Sequence, residues 1–357
     1  MSDPIETPLV PNATEEHRRR PKLVLGNVFG RFIALLAVFI FFAVLVEGGK
    51  FYTLRNLENI LRQSCVYATA GLGMTMVIVA GGIDLSAGSL IALSVVTVAW
   101  VLNLNVAGAD GSVQSVVALH PVLAPILAVL AGVVITTVAG LANGGIIVGL
   151  RLVPFIVTLG TMGMFRGLAK GIARERDIYP PQDTWINRIM DPTLSTHGHS
   201  GILLPTGVWI LIVGVVIAAL LLRYTRLGRH IFAVGSNEET ARLCGVSVGR
   251  TKLFVYTASG FFCGVAGLMQ FSYIGGIGQP TTAVMYELFV IAAVIIGGAS
   301  FTGGEGSILG TIIGALTITM LYTGGQQMGW PKWVQEMVIG IIIIVAVALD
   351  RLRHRRA

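Results

Sequence analysis

Long apolar runs, separated by short charged or glycine-rich breaks, occupy the chain from residue 32 to residue 349. A bilayer core of roughly 30 Å needs about 20 apolar residues in a helix, so the runs between charged side chains predict the spans. They fall at 32–46, 64–82, 89–106, 122–142, 154–172, 202–222, 253–272, 286–299, 307–323 and 333–349. The prediction is an all-α polytopic membrane protein of about ten transmembrane helices. An even number puts both termini on one side. Residues 1–30 are polar, with Pro4, Pro8 and Pro11 ahead of Arg18, Arg19, Arg20 and Lys22, and read as a disordered cytoplasmic tail. A single transmembrane domain over 31–350 and a basic cytoplasmic tail over 351–357 complete the organisation. The first run ends in Glu47-Gly48-Gly49 without an A-x-A-like cleavage site, so it is a retained span rather than a signal peptide. The run 286–299 is short, and Gly297, Gly298, Gly303, Gly304 and Gly306 surround its junction with the next. Broken or re-entrant helices fit there, with irregular backbone buried in protein or lining water.

Composition narrows the class. Of 357 residues, 54% are hydrophobic and 12% charged, and mean hydropathy is +0.79. That charge content is about half that of a soluble domain, which excludes an ordinary globular enzyme. The net charge of +7 reads as a topology signal. With the N-terminus inside, sixteen Lys and Arg fall on cytoplasmic segments and seven outside, which orients both termini to the cytoplasm. Cys65, Cys244 and Cys263 have neither metal spacing nor a disulfide framework.

No catalytic constellation is apparent. The six histidines fall in tails and loops, so Thr257-Ala258-Ser259-Gly260 is only a loose echo of an intramembrane serine protease. His197-x-His199 reads as a solvated pair in an outer loop rather than a metal site. There is no G-x-x-x-x-G-K-[ST] loop, so any ATP that energises transport is bound by another chain.

Three segments carry candidate chemistry. Asn237-Glu238-Glu239-Thr240-Ala241-Arg242-Leu243-Cys244-Gly245 reads as one short capped helix on the cytoplasmic side. Asn237 is its N-cap, Glu238 and Glu239 complement its positive end, Arg242 sits four residues after Glu238, and Gly245 suits a left-handed stop. Two turns are marginal alone in water, so the helix is either an ordinary capped loop or a docking element for a cytoplasmic partner. The second segment is the Gly-rich turn holding Asp84, Ser86 and Gly88, with an echo at Gly303 and Gly304, where Glu305 supplies the acid. Asp84 is either an N-cap for the next helix or a gating contact at the cytoplasmic mouth. The third is the span opening at Pro154. Thr158, Met162, Arg166 and Lys170 recur at i+4 on one face, and Arg166 either faces a hydrated cavity or snorkels outward. Thr158, Met162 and Arg166, with Asn143 and Thr161, are candidate path lining. Thr161, Asn143, Gln270 and Tyr286 could hydrogen-bond a polyol in transit, or else serve as helix–helix glue.

Taken together, these segments resemble the permease subunits of ribose-type ABC sugar importers, in the wider group that also carries branched-chain amino acids and nucleosides. The matching series runs from Met74-Thr75-Met76-Val77-Ile78 into Gly82-Ile83-Asp84-Leu85-Ser86-x-Gly88-Ser89, then Asn143-Gly144 and Pro154-Phe155-Ile156-Val157-Thr158-Leu159-Gly160-Thr161-Met162. It continues through Gly228-Arg229, Val234-Gly235-x-Asn237-Glu238-x-x-x-Arg242-Leu243-x-Gly245-Val246, Gly278-Gln279-Pro280 and Tyr286-Glu287-Leu288, closing on Ile296-Gly297-Gly298-x-Ser300-x-x-Gly303-Gly304. The resemblance implies a second permease copy or paralogue around a central path, and cytoplasmic ATP-binding-cassette ATPase subunits docked on 237–245. It also implies an extracytoplasmic sugar-binding protein that holds most of the selectivity, and a bacterial plasma membrane. The loop 173–201, with Arg174, Glu175, Arg176, Asp177, Asp183 and Asp191, reads either as its landing place or as a plain solvated loop. The rival readings are an importer of the same fold for a branched-chain amino acid, nucleoside or signalling furanose, and an ion-coupled secondary transporter. The latter finds few buried acids, since Asp84, Glu287 and Glu305 all fall near predicted helix ends.

Overall fold

A computed structural model describes residues 20–107, 113–180, 184–193 and 204–354. The apolar runs become helices: α1 (Arg20–Leu45), α2 (Leu54–Val79), α3 (Ala87–Leu102), α4 (Val116–Leu119), α5 (Leu123–Leu150), α6 (Pro154–Ile172) and α7 (Thr206–Tyr224). After them come α8 (Arg226–Ser236), α9 (Glu238–Leu243), α10 (Val248–Tyr273), α11 (Tyr286–Ile296), α12 (Ile308–Gln327) and α13 (Lys332–His354). Each predicted span falls on one of these helices. Helix α1 begins at Arg20, twelve residues ahead of the predicted run and inside the stretch read as a tail. The protein is not purely α-helical. Asn105–Ala107 and Val113–Ser115 form a short antiparallel hairpin, register Asn105↔Ser115, at the end of the run read as continuous helix to 106.

Local chemistry sets the helix starts. Thr53 accepts from the Asn56 amide ahead of α2, Ser307 accepts from the Gly310 amide ahead of α12, and Pro154 opens α6 with its fixed φ. Helix α10 packs against α5, α2 and α3, while α12 and α11 close on α2 from the other side. Gly140, Gly260 and Gly264 let α5 and α10 cross backbone to backbone, the small-residue packing that lipid favours. Helix α2 is buried on nearly all faces. The outer faces of α5 and α7 stay apolar as well, with Leu130, Val134 and Val138, and Val213, Val216 and Ile217, exposed. An apolar exterior around a buried core belongs to a protein solvated by lipid. Helices α5, α7, α10 and α12 are long and apolar enough to cross a membrane, and the protein is a multi-pass membrane protein.

Two chain segments re-enter the bundle. Between α2 and α3, residues 80–86 turn back inward. Between α10 and α11 the chain first pairs Gly278 with Ile178 beside Ala99, then brings Ala283 against Gly88. Ala99 and Gly88 lie eleven residues apart on α3, so this stretch descends roughly 16 Å along that helix before α11 starts. Helix α11, at eleven residues and roughly 16 Å, is about half a bilayer long. Helices α3 and α11 thus begin beside each other inside the bundle and run apart.

Irregular backbone at this depth must find its partners within the protein. Arg166 on α6 supplies them: its guanidinium donates to the carbonyls of Thr282 at 2.6 Å, Pro280 at 3.2 Å and Ala283 at 3.3 Å. Gln270 on α10 donates to the Thr282 hydroxyl at 3.1 Å. Ala283 and Met285 both take positive φ (55° and 68°), where a side chain is strained, so this grip holds a conformation the chain disfavours. Replacing Arg166 with Ala is expected to destabilise the purified protein by about 2–3 kcal/mol, since charged hydrogen bonds go and buried carbonyls are left bare. Arg166→Lys is expected to recover only part of this, because an ammonium lacks the planar fork. Thermal unfolding in detergent checks both.

Candidate functional site

The predicted docking helix forms as α9. Asn237 Oδ1 accepts from the Thr240 amide at 2.8 Å, and Gly245 closes the helix at φ +80°. Glu238 accepts from Arg242 at 3.0 Å and from Lys252 of α10 at 2.6 Å, so it ties α9 back to the bundle. Glu239 stays exposed. Ala241 packs with Val234 and Val248 in a small core of its own. Leu243 points the other way and is 88% exposed. It is an exposed apolar side chain on a helix tied down on its other face. Its signal in the sequence was present but unread: an isolated Leu between Arg242 and Cys244.

Helix α8, not foreseen as a helix, connects α7 to α9. Thr225 caps it by accepting from the Gly228 amide at 3.0 Å. Near its end Gly235 lies against the backbone of both Gly-rich turns. A Cβ there would collide with the Val79 carbonyl and the Gly304 amide, which are hydrogen-bonded to each other at 2.9 Å. Gly81 and Gly303 are also in backbone contact. The two turns that echo one another in sequence therefore meet, and the strut leading to α9 rests on both. Arg31 of α1 packs over Gly298 and Gly310 at the same end.

Asp84 is neither the cap of α3 nor at the mouth. Ser86 holds the N-cap position, and Asp84 is fully buried among three donated hydrogen bonds. Its Oδ1 accepts from the Ser86 amide (2.9 Å) and hydroxyl (2.5 Å), and its Oδ2 accepts from the Ser259 hydroxyl (2.7 Å). Ser259 lies eleven residues into α10, roughly 16 Å from its start, because residues 80–86 fold back into the bundle. Asn143 of α5 donates to the Ser86 hydroxyl at 2.9 Å, so one polar knot joins α3, α5 and α10. The Ser259 hydroxyl is committed to this knot rather than free as a nucleophile. Gly88, one turn on, is required bare: a Cβ would strike the Glu287 carboxylate and the Ala283 carbonyl.

The candidate path residues are placed unevenly. Thr158 is buried, its hydroxyl donating to the Pro154 carbonyl at 2.9 Å with the Ile83 carbonyl at 3.3 Å, and Thr161 is buried one turn on. Met162 is half-buried and Lys170 exposed. Arg166 neither opens onto a cavity nor snorkels, being taken up by the re-entrant carbonyls. A cavity of about 150 Å³ lies instead between the re-entrant stretch, α11, α12 and α13. The loop after α6 is tied down: Ser272 Oγ donates to the Asn187 carbonyl at 2.8 Å, and the Thr193 amide donates to Glu58. Asp183 and the pair His197 and His199 lie outside the described residues.

Removing the Asp84 carboxyl strands three donors. Asp84→Ala is expected to lower stability by about 2–5 kcal/mol, whereas Asp84→Asn keeps an acceptor for Ser86 and costs less. Melting temperatures of the two purified variants check the order.

Comparison with known proteins fits this arrangement. Residues 56–347 match the family model described as branched-chain amino acid transport system / permease component. The ribose import permease protein RbsC of Escherichia coli K12 is 34% identical over 322 residues, covering 89% of this chain and 92% of that protein. RbsC of Bacillus subtilis is 35% identical over 328 residues, 92% of each chain. The galactose/methyl galactoside import permease protein MglC of E. coli K12 is 35% identical over 338 residues, 93% of this chain and 95% of that protein. No solved structure matches significantly. With a family model matched over residues 56–347 and relatives 34–35% identical over about nine-tenths of its length, the chain belongs to the branched-chain amino acid transport system permease family.

Proposed function

We propose that the chain is the membrane-spanning permease subunit of an ATP-binding-cassette importer and forms the path for a monosaccharide. An extracytoplasmic binding protein delivers the sugar, and separate cytoplasmic ATPase subunits bind the ATP. The relatives named for ribose and galactose import favour a sugar over a branched-chain amino acid. The chain acts with a second permease copy or paralogue in a bacterial plasma membrane. Ten helices (α1, α2, α3, α5, α6, α7, α10, α11, α12 and α13) cross or enter the bilayer, with both termini cytoplasmic.

The observation that carries this reading is the line from α9 through Gly235 to the two Gly-rich turns. Asn237, Glu238, Glu239, Arg242 and Gly245 build the docking helix, and Leu243 is the side chain it offers to an ATPase. A push on α9 reaches Gly81, Gly303 and Gly304, and through the neighbouring Asp84, Ser86 and Gly88 the starts of α3 and α11. Of the two readings open for the candidate path side chains, the hydrogen bonds of Asn143 and Thr158 favour helix–helix glue around those starts, and Arg166 positions the re-entrant stretch.

Affinity purification of the tagged chain from its native membrane, with mass spectrometry, tests the assembly. A co-purifying subunit with a phosphate-binding loop, near one copy per permease, is expected. A chain that arrives alone overturns the importer. Leu243→Asp with Glu239→Lys is expected to cut ATP-driven ribose uptake at least tenfold while the protein elutes as a folded species. Normal uptake by that variant overturns the docking role.

A further inference from the structure

The cavity of about 150 Å³ is walled by aromatic and polar side chains. Tyr286 and Phe289 of α11 stack with ring centroids 6.0 Å apart, and Tyr322 of α12 lies 6.0 Å beyond Phe289. Gln335 of α13, 6% exposed, donates its amide nitrogen to the Trp330 carbonyl at 2.9 Å, while its Oε1 is buried with no partner. Lys332 and Glu336 add one positive and one negative group to the lining. The space exceeds what one water needs and is well below the roughly 300–1,000 Å³ of drug-sized sites, which limits the occupant to a small solute.

The lining also limits its chemistry. One cation and one carboxylate cancel, so neither an anion nor a cation is favoured. Aromatic faces receive the C–H face of a sugar ring, and the amide, ammonium and carboxylate suit its hydroxyls. An aliphatic amino acid offers a single donor group, its ammonium, for which the Glu336 carboxylate competes. A sugar carries several hydroxyls, enough to serve Gln335 Oε1 and the charged groups together.

We propose that this cavity is a transit site for a neutral monosaccharide within the permease itself, built by Tyr286, Phe289, Tyr322 and Gln335, with Lys332 and Glu336 beside them. It rests on the importer reading and adds a stopping point on the path, between delivery and release. The re-entrant stretch forms part of its wall through Thr281 and Met285, so the segment held by Arg166 shapes the site.

Saturation-transfer NMR on the purified full-length chain tests it, with ribose, galactose, fructose and leucine each offered at millimolar concentration. Transfer to at least one sugar and none to leucine is expected. Gln335→Leu and Glu336→Gln are each expected to weaken that transfer about tenfold, with thermal melts showing both variants folded. The second variant alters a half-buried group and keeps the answer available if the first does not fold. No transfer to any sugar, transfer to leucine, or sugar transfer unchanged in a folded variant overturns the site. ATP-driven sugar uptake by the assembled transporter, measured in parallel, separates the two readings. Uptake without transfer to the permease refutes this site and leaves the importer standing, whereas an assembly that imports no sugar refutes the importer itself.

Discussion

The grip of Arg166 on three backbone carbonyls is the interaction on which the middle of this protein depends. A membrane interior offers no water to an open peptide group, so a chain that enters it without helical hydrogen bonds must carry its partners along. Residues 278–285 do this with one guanidinium from a neighbouring helix. Because they are satisfied, α11 can start inside the bundle beside Gly88 rather than at its surface. From that one displacement follow the meeting of the α3 and α11 starts, the bare Gly88 between them, and the cavity walled by Tyr286 and Phe289.

Much of this was legible along the chain. The positions of the apolar runs gave the helices, since composition alone separates lipid-facing from aqueous segments. The caps of α9 were readable because capping is local: Asn237, Glu238 and Gly245 act within a few residues of themselves. The shortness of the run at 286–299 pointed to the half-helix α11. The re-entrant stretch, however, lies before it, at 278–285, and not at the glycine junction after it. What stayed hidden depends on contacts distant in sequence. Asp84 reads from the sequence as an N-cap or a contact at the mouth. Its burial rests on Ser86 beside it together with Ser259 of α10, and Asn143 of α5 engages Ser86 in turn. Arg166 reads as facing a hydrated cavity or snorkelling outward. Its true partners are main-chain oxygens, which leave no mark in a sequence.

The packing of the core and the arrangement of the site obey one rule. Where helices must approach closely, as at Gly140 and Gly260, side chains are absent. Where polar groups are buried, as at Asp84, Ser86, Asn143 and Ser259, nearly every donor is used. Among the described residues, Arg62 Nε, Asn143 Oδ1, Glu287 Oε2, Gln327 Oε1 and Gln335 Oε1 are buried without hydrogen bonds. Two of these, on Glu287 and Gln335, lie beside the re-entrant stretch.

The contact at Gly235 has a mechanical consequence. Force applied to α9 passes into Val79 and Gly304 through main-chain atoms alone, with no rotatable side chain in series. Such a linkage has little compliance: it cannot absorb a stroke by changing rotamers, as a joint of long side chains would. A contact of this kind is a stiff lever rather than a spring.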